Sequence, residues 1–425
     1  MGQKSSKMEG ERAQRMAQPE WYVDSMLEKG GVSEEYLLVF VQNELHDALQ
    51  SFLNGGFSKA GFALYPLVQD VSLENRQRLE RLRTVATHLN QKNGRMFAGS
   101  AAYAGRLKGP GACSAFLSLL SKDFCLAEKG KTKQERKRPC EGFSLKEYDK
   151  KDHGYLQPVK ELQEYAGKKL ADDVKGCYLH GSLATNDFVK GWSDCDTLLV
   201  IGKEALHDPR RLLALRRKIF LMRRFFFRID PLQHHGSMIV PEHDLEWYSS
   251  AYFPLPLFSY AKALTEDSVL SIGRREMGPE QYAKLFWFVQ RFRGMREEKV
   301  DALGSYDAKN FLHLIALFPS LYLQAKDVLV YKKFSFSMAK KDFREELWEP
   351  IETMSSIRER WQPFPELPFV RLKARANPVA PYRINAYLGD LLLRMRKKNP
   401  VPVRELVEGM HLLAEDAWSK AAKRL

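Results

Sequence analysis

Two carboxylates stand at the start of a buried-strand pattern in residues 193–201, SDCDTLLVI. The apolar residues after them and the chain-breaking Gly191 before them predict a short buried strand. Alternate side chains of a strand share a face, so Asp194 and Asp196 are expected to point the same way while Cys195 points into the opposite layer. Two carboxylates this close repel unless a proton or a cation neutralises them, and oxygen ligands favour Mg²⁺ or Mn²⁺. We therefore predict a metal site at this end of the strand.

A turn suited to phosphate binding lies upstream of the carboxylates. Residues 177–180, CYLH, predict a short buried strand, and Gly181 and Ser182 predict the turn that opens a helix after it. A helix N-terminus offers unpaired N–H groups and a partial positive charge to phosphate oxygens. Gly181 would let the chain approach a ligand closely, and the Ser182 hydroxyl could donate to a phosphate. The alternative interpretation is a capped turn beside a solvated strand end.

A third carboxylate follows in the run FFFRID, residues 225–230. Alternation along this run predicts a strand with Arg228 and Asp230 on one face. Pro231 lacks an N–H and would end the strand there. Asp230 is therefore expected at the rim of the sheet as a further metal ligand, and an ion pair with Arg228 is the alternative.

In combination these residues resemble the DNA polymerase beta-type nucleotidyltransferase superfamily. Its signature is a Gly-Ser turn, a variable helix and loop, two acids flanking one residue on a strand, and a third acid on a later strand. The matching residues of this chain are Gly181, Ser182, Asp194, Asp196 and Asp230.

The resemblance covers roughly residues 173–240 and implies a reaction. A nucleoside monophosphate would pass from a nucleoside triphosphate to a hydroxyl acceptor, with release of pyrophosphate. Two Mg²⁺ or Mn²⁺ ions are implied, both held by Asp194 and Asp196, with Asp230 helping to hold the ion beside the attacking hydroxyl. Asp230 could also accept the proton of that hydroxyl.

The periodicity of the chain predicts an α+β protein with a small mixed β-sheet core between helical regions. Residues 208–225 form an Arg-rich amphipathic pattern that predicts the helix between two core strands. The predicted parts are a flexible tail at 1–22, a mainly helical region at 23–172, a nucleotidyltransferase core at 173–255 and a C-terminal helical domain at 256–425.

Helical spacing of apolar residues is clearest in six segments. They are residues 34–53, 72–91, 280–300, 307–326, 384–398 and 404–425. The C-terminal set resembles the helical domain that closes the nucleotide cleft in many members of the superfamily, where a lysine often reaches the triphosphate. Lys326 and Lys333 are the predicted nucleotide-binding lysines, with Lys332 beside them. Tyr322 and Tyr331 could stack a base, with core packing as the alternative.

Composition favours acidic partners and a reducing compartment. The net charge of +14 suits triphosphates, and also nucleic acid or an anionic membrane surface. Residues 128–139 are basic and predict a solvated loop, with RNA or DNA contact as the alternative. Five cysteines without CxxC spacing indicate neither a disulfide framework nor a zinc site, which favours the cytoplasm. We predict no transmembrane segment, because apolar stretches of sufficient length are lacking.

Three functions fit this pattern. The favoured function is nucleotidyl transfer to a small molecule or protein side chain, and the second is template-independent transfer to RNA ends. The third is a catalytically silent nucleotide- or RNA-binding scaffold. Strongly salt-dependent RNA binding would separate the second from the first. His180, His234 and His235 are expected to be structural or to line the pocket, outside the catalytic set.

Overall fold

The described part of the chain forms a mixed α+β fold with a helical C-terminal region. The predicted tail at 1–22 lies outside the described residues. The computed structural model describes residues 23–25, 27–28, 33–55, 73–92, 96–104, 109–128, 135–249, 252–265, 268–275, 280–375 and 377–422.

The elements are numbered in chain order. The helices are α1 Glu34–Asn54, α2 Leu73–Lys92, α3 Ala98–Ala104, α4 Gly109–Glu128, α5 His153–Lys169, α6 Gly181–Ala184, α7 Lys203–Leu206, α8 Pro209–Ile229, α9 Leu257–Tyr260, α10 Glu280–Glu297, α11 Ser305–Ala325, α12 Lys332–Lys340, α13 Glu345–Glu359, α14 Pro368–Lys373, α15 Ala380–Leu392, α16 Met395–Lys398 and α17 Val403–Ala422. The strands are β1 Glu135–Cys140, β2 Val174–His180, β3 Asp196–Ile201, β4 Met238–Pro241, β5 Lys262–Ala263 and β6 Ser268–Gly273. Five of the six helical segments predicted from periodicity each form one helix. The segment predicted as one helix at 384–398 forms two helices, α15 and α16, because Arg394 between them has a positive φ of 53°.

The central sheet has the strand order β4-β3-β2-β5. Strands β2 and β3 are antiparallel, as are β2 and β5, whereas β3 and β4 are parallel. Helix α8 makes the crossover between the two parallel strands, as expected for such a pair. The predicted small mixed sheet is therefore present in the described structure.

Helix α8 overturns one prediction, because residues 225–229 belong to it and not to a strand. Asp208 caps its start, accepting hydrogen bonds from the backbone N–H groups of Arg210 and Arg211. Its end at Ile229 fits the restriction that Pro231 places on the preceding residue. The strand that pairs with β3 in place of the predicted one is β4, which begins eight residues after Asp230.

The buried residues explain why the alternation misled. Met222, Phe225, Phe226 and Ile229 are buried at helical spacing and face the core. The alternation seen in FFFRID covers too few residues to outweigh that longer stripe.

A second correction concerns the basic run at 128–139. Its last residues belong to β1, which pairs antiparallel with β6 across Glu135↔Gly273 and Cys140↔Ser268. Backbone pairing does not require apolar side chains at an edge, and charged residues are common there. The predicted solvated loop therefore does not extend to residue 139, and residues 129–134 lie outside the described residues.

The N-terminal helices pack on the central sheet. Side chains of α1, α2 and α4 share one core with α8 and one face of β2 and β3. Gln50 of α1 also pairs with the sheet edge, since its Nε2 donates to Ser237 O at 3.1 Å and its Oε1 accepts from Ile239 N at 2.8 Å. Helix α1 thus covers the open edge of β4.

The C-terminal helices have their own core, which includes two residues from the central region, Trp192 and Leu232. Each of these lies in a loop beside the predicted carboxylates. The packing therefore brings α11 against the end of the sheet where β2 finishes and β3 begins. Among the described residues, no helix combines the length and apolarity needed to cross a membrane.

Candidate metal and nucleotide site

The two carboxylates meet at the beginning of β3. Asp196 is its first residue and pairs with His180 of β2, whereas Asp194 precedes the strand and is buried. Both side chains reach one imidazole: His235 Nε2 lies 3.0 Å from Asp196 Oδ1 and 3.4 Å from Asp194 Oδ2. The expected meeting point is present, although Asp194 is outside the strand.

A glutamine holds the carboxylate segment against the chain that follows α8. Cys195 N donates to Gln233 Oε1 at 2.9 Å, and Gln233 Nε2 donates to Cys195 O at 3.1 Å. Thr197 and Ser237 share a further hydroxyl hydrogen bond of 2.9 Å. These bonds bring residues 234–236 alongside the carboxylates.

Gly181 is required by its backbone and its surroundings. Its φ of +72° is costly for any residue with a Cβ, and an added Cβ would lie 2.2 Å from Asp196 Oδ2. The next residue, Ser182, donates from Oγ to Ser193 Oγ at 2.8 Å. The Gly-Ser turn is therefore in direct contact with the segment that carries both carboxylates.

We expect Gly181→Ala to lower the stability by about 1–2 kcal/mol through backbone strain alone. The clash should also push the Asp196 carboxylate aside and weaken ligand binding. Urea unfolding and nucleotide titration check both effects. Gly167→Ala, in the interior of α5 with nothing within 4 Å of its added Cβ, is the matched control and should leave the protein as stable or slightly more stable. Equal behaviour of the two variants would contradict this role of Gly181.

A buried lysine from α11 joins Asp194 to Asp230. Lys309 has no exposed side-chain surface, and its Nζ lies 3.0 Å from Asp194 Oδ1 and 2.6 Å from Asp230 Oδ2. Asp230 Oδ1 accepts from Leu232 N at 3.0 Å. The proposed alternative partner Arg228 binds Glu161 instead, with Nη2 at 3.0 Å from Oε1.

Burial and charge set the protonation of this group. Burial raises the pKa of Asp230 well above its usual value, and Asp194 adds to that rise while Lys309 opposes it. Burial acts the same way on Asp194, but Lys309 and His313 outweigh it and hold the Asp194 pKa well below its usual value. Of the two buried acids, Asp194 is the one that stays ionised.

Three imidazoles surround Asp194. His234 Nδ1 lies 3.3 Å and His313 Nε2 4.0 Å from Asp194 Oδ2. His313 is one helical turn after Lys309 and stacks on Trp192, with ring centroids 4.6 Å apart. Burial lowers the pKa of His235, but its contacts with Asp194 and Asp196 raise it well above its usual value.

Sequence reasoning missed Lys309 and His313. The signal was a lysine and a histidine four residues apart in a segment of α11 that is otherwise rich in buried apolar residues, Phe311, Leu312 and Ile315. Polar residues on such a face need partners, because burying them unpaired is costly. That reasoning would have marked both residues as members of a polar cluster without identifying the partners.

A cleft of about 490 Å³ lies beside the Gly-Ser turn. Tyr260, Tyr331 and Phe334 form an aromatic wall. The ring centroids of the two tyrosines lie 4.7 Å apart, and those of Tyr260 and Phe334 lie 5.8 Å apart. Its other lining residues are Pro139, Glu141, Ala184, Thr185, Ser259, Ala261, Lys262 and Lys333. The cleft thus combines aromatic faces with lysines.

The predicted lysines take different positions. Lys333 lines the cleft and lies 3.7 Å from Asp187 Oδ1. Lys326 binds Asp342 and lies 5.2 Å from the centre of the Tyr322 ring, within the C-terminal helices. Burial lowers the pKa of Lys332, an effect that the charges of Asp196 and Asp194 oppose, so this lysine lies within electrostatic reach of the carboxylates.

The resemblance implies a site in which oxygen ligands alone hold two ions, and the donors present differ from it. Asp194, His234 and His235 offer one carboxylate oxygen and two imidazole nitrogens within 4.8 Å of one another. Asp230, the third ligand that the resemblance implies, binds the ammonium of Lys309 through Oδ2 at 2.6 Å. These donors do not fit a pair of Mg²⁺ ions.

No protein-family model, curated protein or solved structure matches this chain. Its chemistry is therefore inferred from its own residues.

Proposed function

We propose that this chain transfers a nucleoside monophosphate from a nucleoside triphosphate to a hydroxyl acceptor, releasing pyrophosphate. The observation that carries the proposal is the contact between the Gly-Ser turn and the carboxylate pair: Gly181 lies against Asp196, and Ser182 binds Ser193. A phosphate-binding turn and two acids at one sheet end are the parts that such a transfer requires. The acceptor is a small molecule, a protein side chain or an RNA end.

The triphosphate would lie between the turn and the start of α12. Its negative charge attracts Lys332, which interacts electrostatically with Asp196, and Lys333, which lines the cleft. The Ser182 hydroxyl, now bonded to Ser193, can turn to donate to a phosphate oxygen. The lysines would also reduce repulsion between the triphosphate and the carboxylates.

The aromatic wall would hold the base. Tyr260 and Phe334 are partly exposed, at 39% and 44%, so their ring faces are accessible to a planar ligand. Tyr331 connects this wall to the turn, since its hydroxyl lies near Thr185 and Gly181. A base stacked there would leave its phosphates directed to the turn.

The carboxylates then act at the reacting oxygens. The acceptor oxygen forms a bond to the α-phosphorus while the bond to the bridging oxygen of pyrophosphate breaks, and Asp196 accepts the hydroxyl proton. Asp196 suits this role because its side chain is 23% exposed, against 3% for Asp194. Asp230, the proton acceptor considered from sequence, is fully buried and would act through Lys309.

A catalytically silent nucleotide-binding protein is the second candidate. The observation in its favour is Lys309, whose ammonium occupies the place between Asp194 and Asp230 where the resemblance puts a second ion. Nucleotide binding without transfer would be the result for this candidate.

Label transfer tests the first candidate against the second. The full chain is incubated with each α-labelled nucleoside triphosphate and Mg²⁺, Mn²⁺, Co²⁺ or Zn²⁺, with total RNA or cell extract as acceptor. Transfer that disappears in the double variant Asp194→Asn, Asp196→Asn supports the proposal and shows the acceptor class. Nucleotide binding without transfer under every condition would contradict it.

We expect Lys332→Gln to weaken triphosphate binding roughly 10- to 100-fold, the loss of one charge-assisted hydrogen bond of about 1.5–3 kcal/mol. Isothermal titration with a non-hydrolysable triphosphate measures the change. Lys341→Gln, at the exposed end of the same helix, is the matched control and should bind as the wild type does. Equal loss in both variants would assign the effect to net charge and not to contact with phosphate.

A further inference from the structure

We infer that Asp194, His234 and His235 form a site for a divalent ion of the Zn²⁺ and Co²⁺ class, with Mg²⁺ bound far more weakly. This inference rests on the proposed function for the purpose of the ion, because the site is the same one. It differs from the two magnesium ions implied by the resemblance. Three observations on the described residues support it.

The first observation is donor chemistry. Two imidazole nitrogens and one carboxylate oxygen come within 4.8 Å of one another at this point. Imidazole suits zinc, cobalt and other first-row transition ions, whereas Mg²⁺ prefers oxygen ligands and keeps its waters. Three protein ligands also leave an open position, as in catalytic zinc sites.

The second observation is spacing. The Asp194 Oδ2 atom lies 3.3 Å from His234 Nδ1 and 3.4 Å from His235 Nε2. Zinc bonds of about 2.0–2.1 Å in a tetrahedron separate two ligand atoms by roughly 3.3–3.4 Å. Two of the three ligand separations therefore fit a tetrahedral ion, and the third, between the two imidazole nitrogens, lies within 4.8 Å.

The third observation is orientation by the surroundings. His235 Nδ1 lies 2.9 Å from Gly236 O, which fixes the ring so that an ion displacing the Nε2 proton meets the Nε2 lone pair beside the carboxylates. Lys309 occupies Asp194 Oδ1, whereas the buried atoms Asp194 Oδ2 and His234 Nδ1 face each other at 3.3 Å without hydrogen-bond geometry. Such buried polar atoms need an explanation, and an ion bound between them is one.

Co²⁺ titration of the full chain tests the inference without relying on activity. We expect one Co²⁺ per chain, with the intense visible absorption of tetrahedral cobalt, displaced by Zn²⁺ but not by a large excess of Mg²⁺. His234→Gln and His235→Gln should weaken binding about 100-fold or more. His207→Gln, at an exposed histidine, is the matched control.

Several outcomes would overturn the inference. They are the absence of Co²⁺ binding, displacement by equimolar Mg²⁺, or unchanged binding in His234→Gln. If His235→Gln fails to fold, His234→Gln still tests the metal site, because the His234 side chain is 27% exposed and tolerates replacement. Cobalt binding without label transfer would contradict the proposed function and leave this inference intact. Label transfer with Mg²⁺ but without cobalt binding would contradict this inference and leave the proposed function intact.

Discussion

Asp194→Asn is expected to reduce nucleotidyl transfer by about 1,000-fold or more while the protein stays folded. The carboxylate contacts Lys309, His234 and His235 at once, so the loss of its charge removes the centre of the site. Losing several kcal/mol of charge stabilisation in the transition state corresponds to a factor of this size. The rate of label transfer measures the effect, with circular dichroism to verify folding.

The fold should tolerate this change for a structural reason. Asparagine keeps the shape of the side chain, and loss of the Asp194 charge removes one cause of the raised Asp230 pKa, so that Asp230 ionises more readily 2.6 Å from Lys309. Asp301→Asn, at an exposed loop residue, is the matched control and should transfer at the wild-type rate. Full activity in the Asp194 variant would remove this residue from the site.

Lys309→Met is expected to lower the free energy of unfolding by about 3–5 kcal/mol, because it leaves the ionised Asp194 buried without its main counter-charge and Asp230 without its ammonium partner. Lys309 is fully buried between Asp194 and Asp230, and its pKa stays above its usual value despite burial. Urea unfolding measures the difference. Lys340→Met, which breaks a half-exposed pair with Glu352, is the matched control and should cost less than about 1 kcal/mol.

The loss of unfolding free energy in Lys309→Met, called the deficit here, should depend on pH in a defined direction. Without the lysine, burial raises the pKa of the folded carboxyl groups above the unfolded value of about 3.9. Stability is then lost as pH rises through the raised pKa, so the deficit should be larger near pH 8 than near pH 5. Adding Asp230→Asn should recover part of it at high pH. A deficit independent of pH and of Asp230 would show that the cost is lost packing and not uncompensated charge.

The sequence predicted those helices and strands whose apolar pattern is complete within the element itself. Helices such as α1 and α17 carry apolar residues at helical spacing over about five turns, and β2 and β3 carry short apolar runs. The sheet end was predictable for a similar reason. Strands β2 and β3 are consecutive and antiparallel, which returns Asp196 to the turn at Gly181.

Elements decided by distant partners were not predictable in this way. The strand β1 forms because β6 pairs with it, although the two are separated by more than 120 residues of chain. Residues 225–229 are helical because the stripe facing the core continues through them, while their local alternation also fits a strand.

The sequence alone indicated the carboxylates, the Gly-Ser turn and the longer helices, because these depend on residue type and short-range spacing. The tertiary structure decided what surrounds the acids. Lys309 reaches Asp194 from 115 residues away, and Gln233 turns the two histidines toward it. Burial then decides the chemistry around Asp194: a lysine can hold a buried carboxylate where a metal ion was expected, and imidazoles can become the ligands. Charge in a dry interior depends on every neighbour, and those neighbours are brought together only by folding.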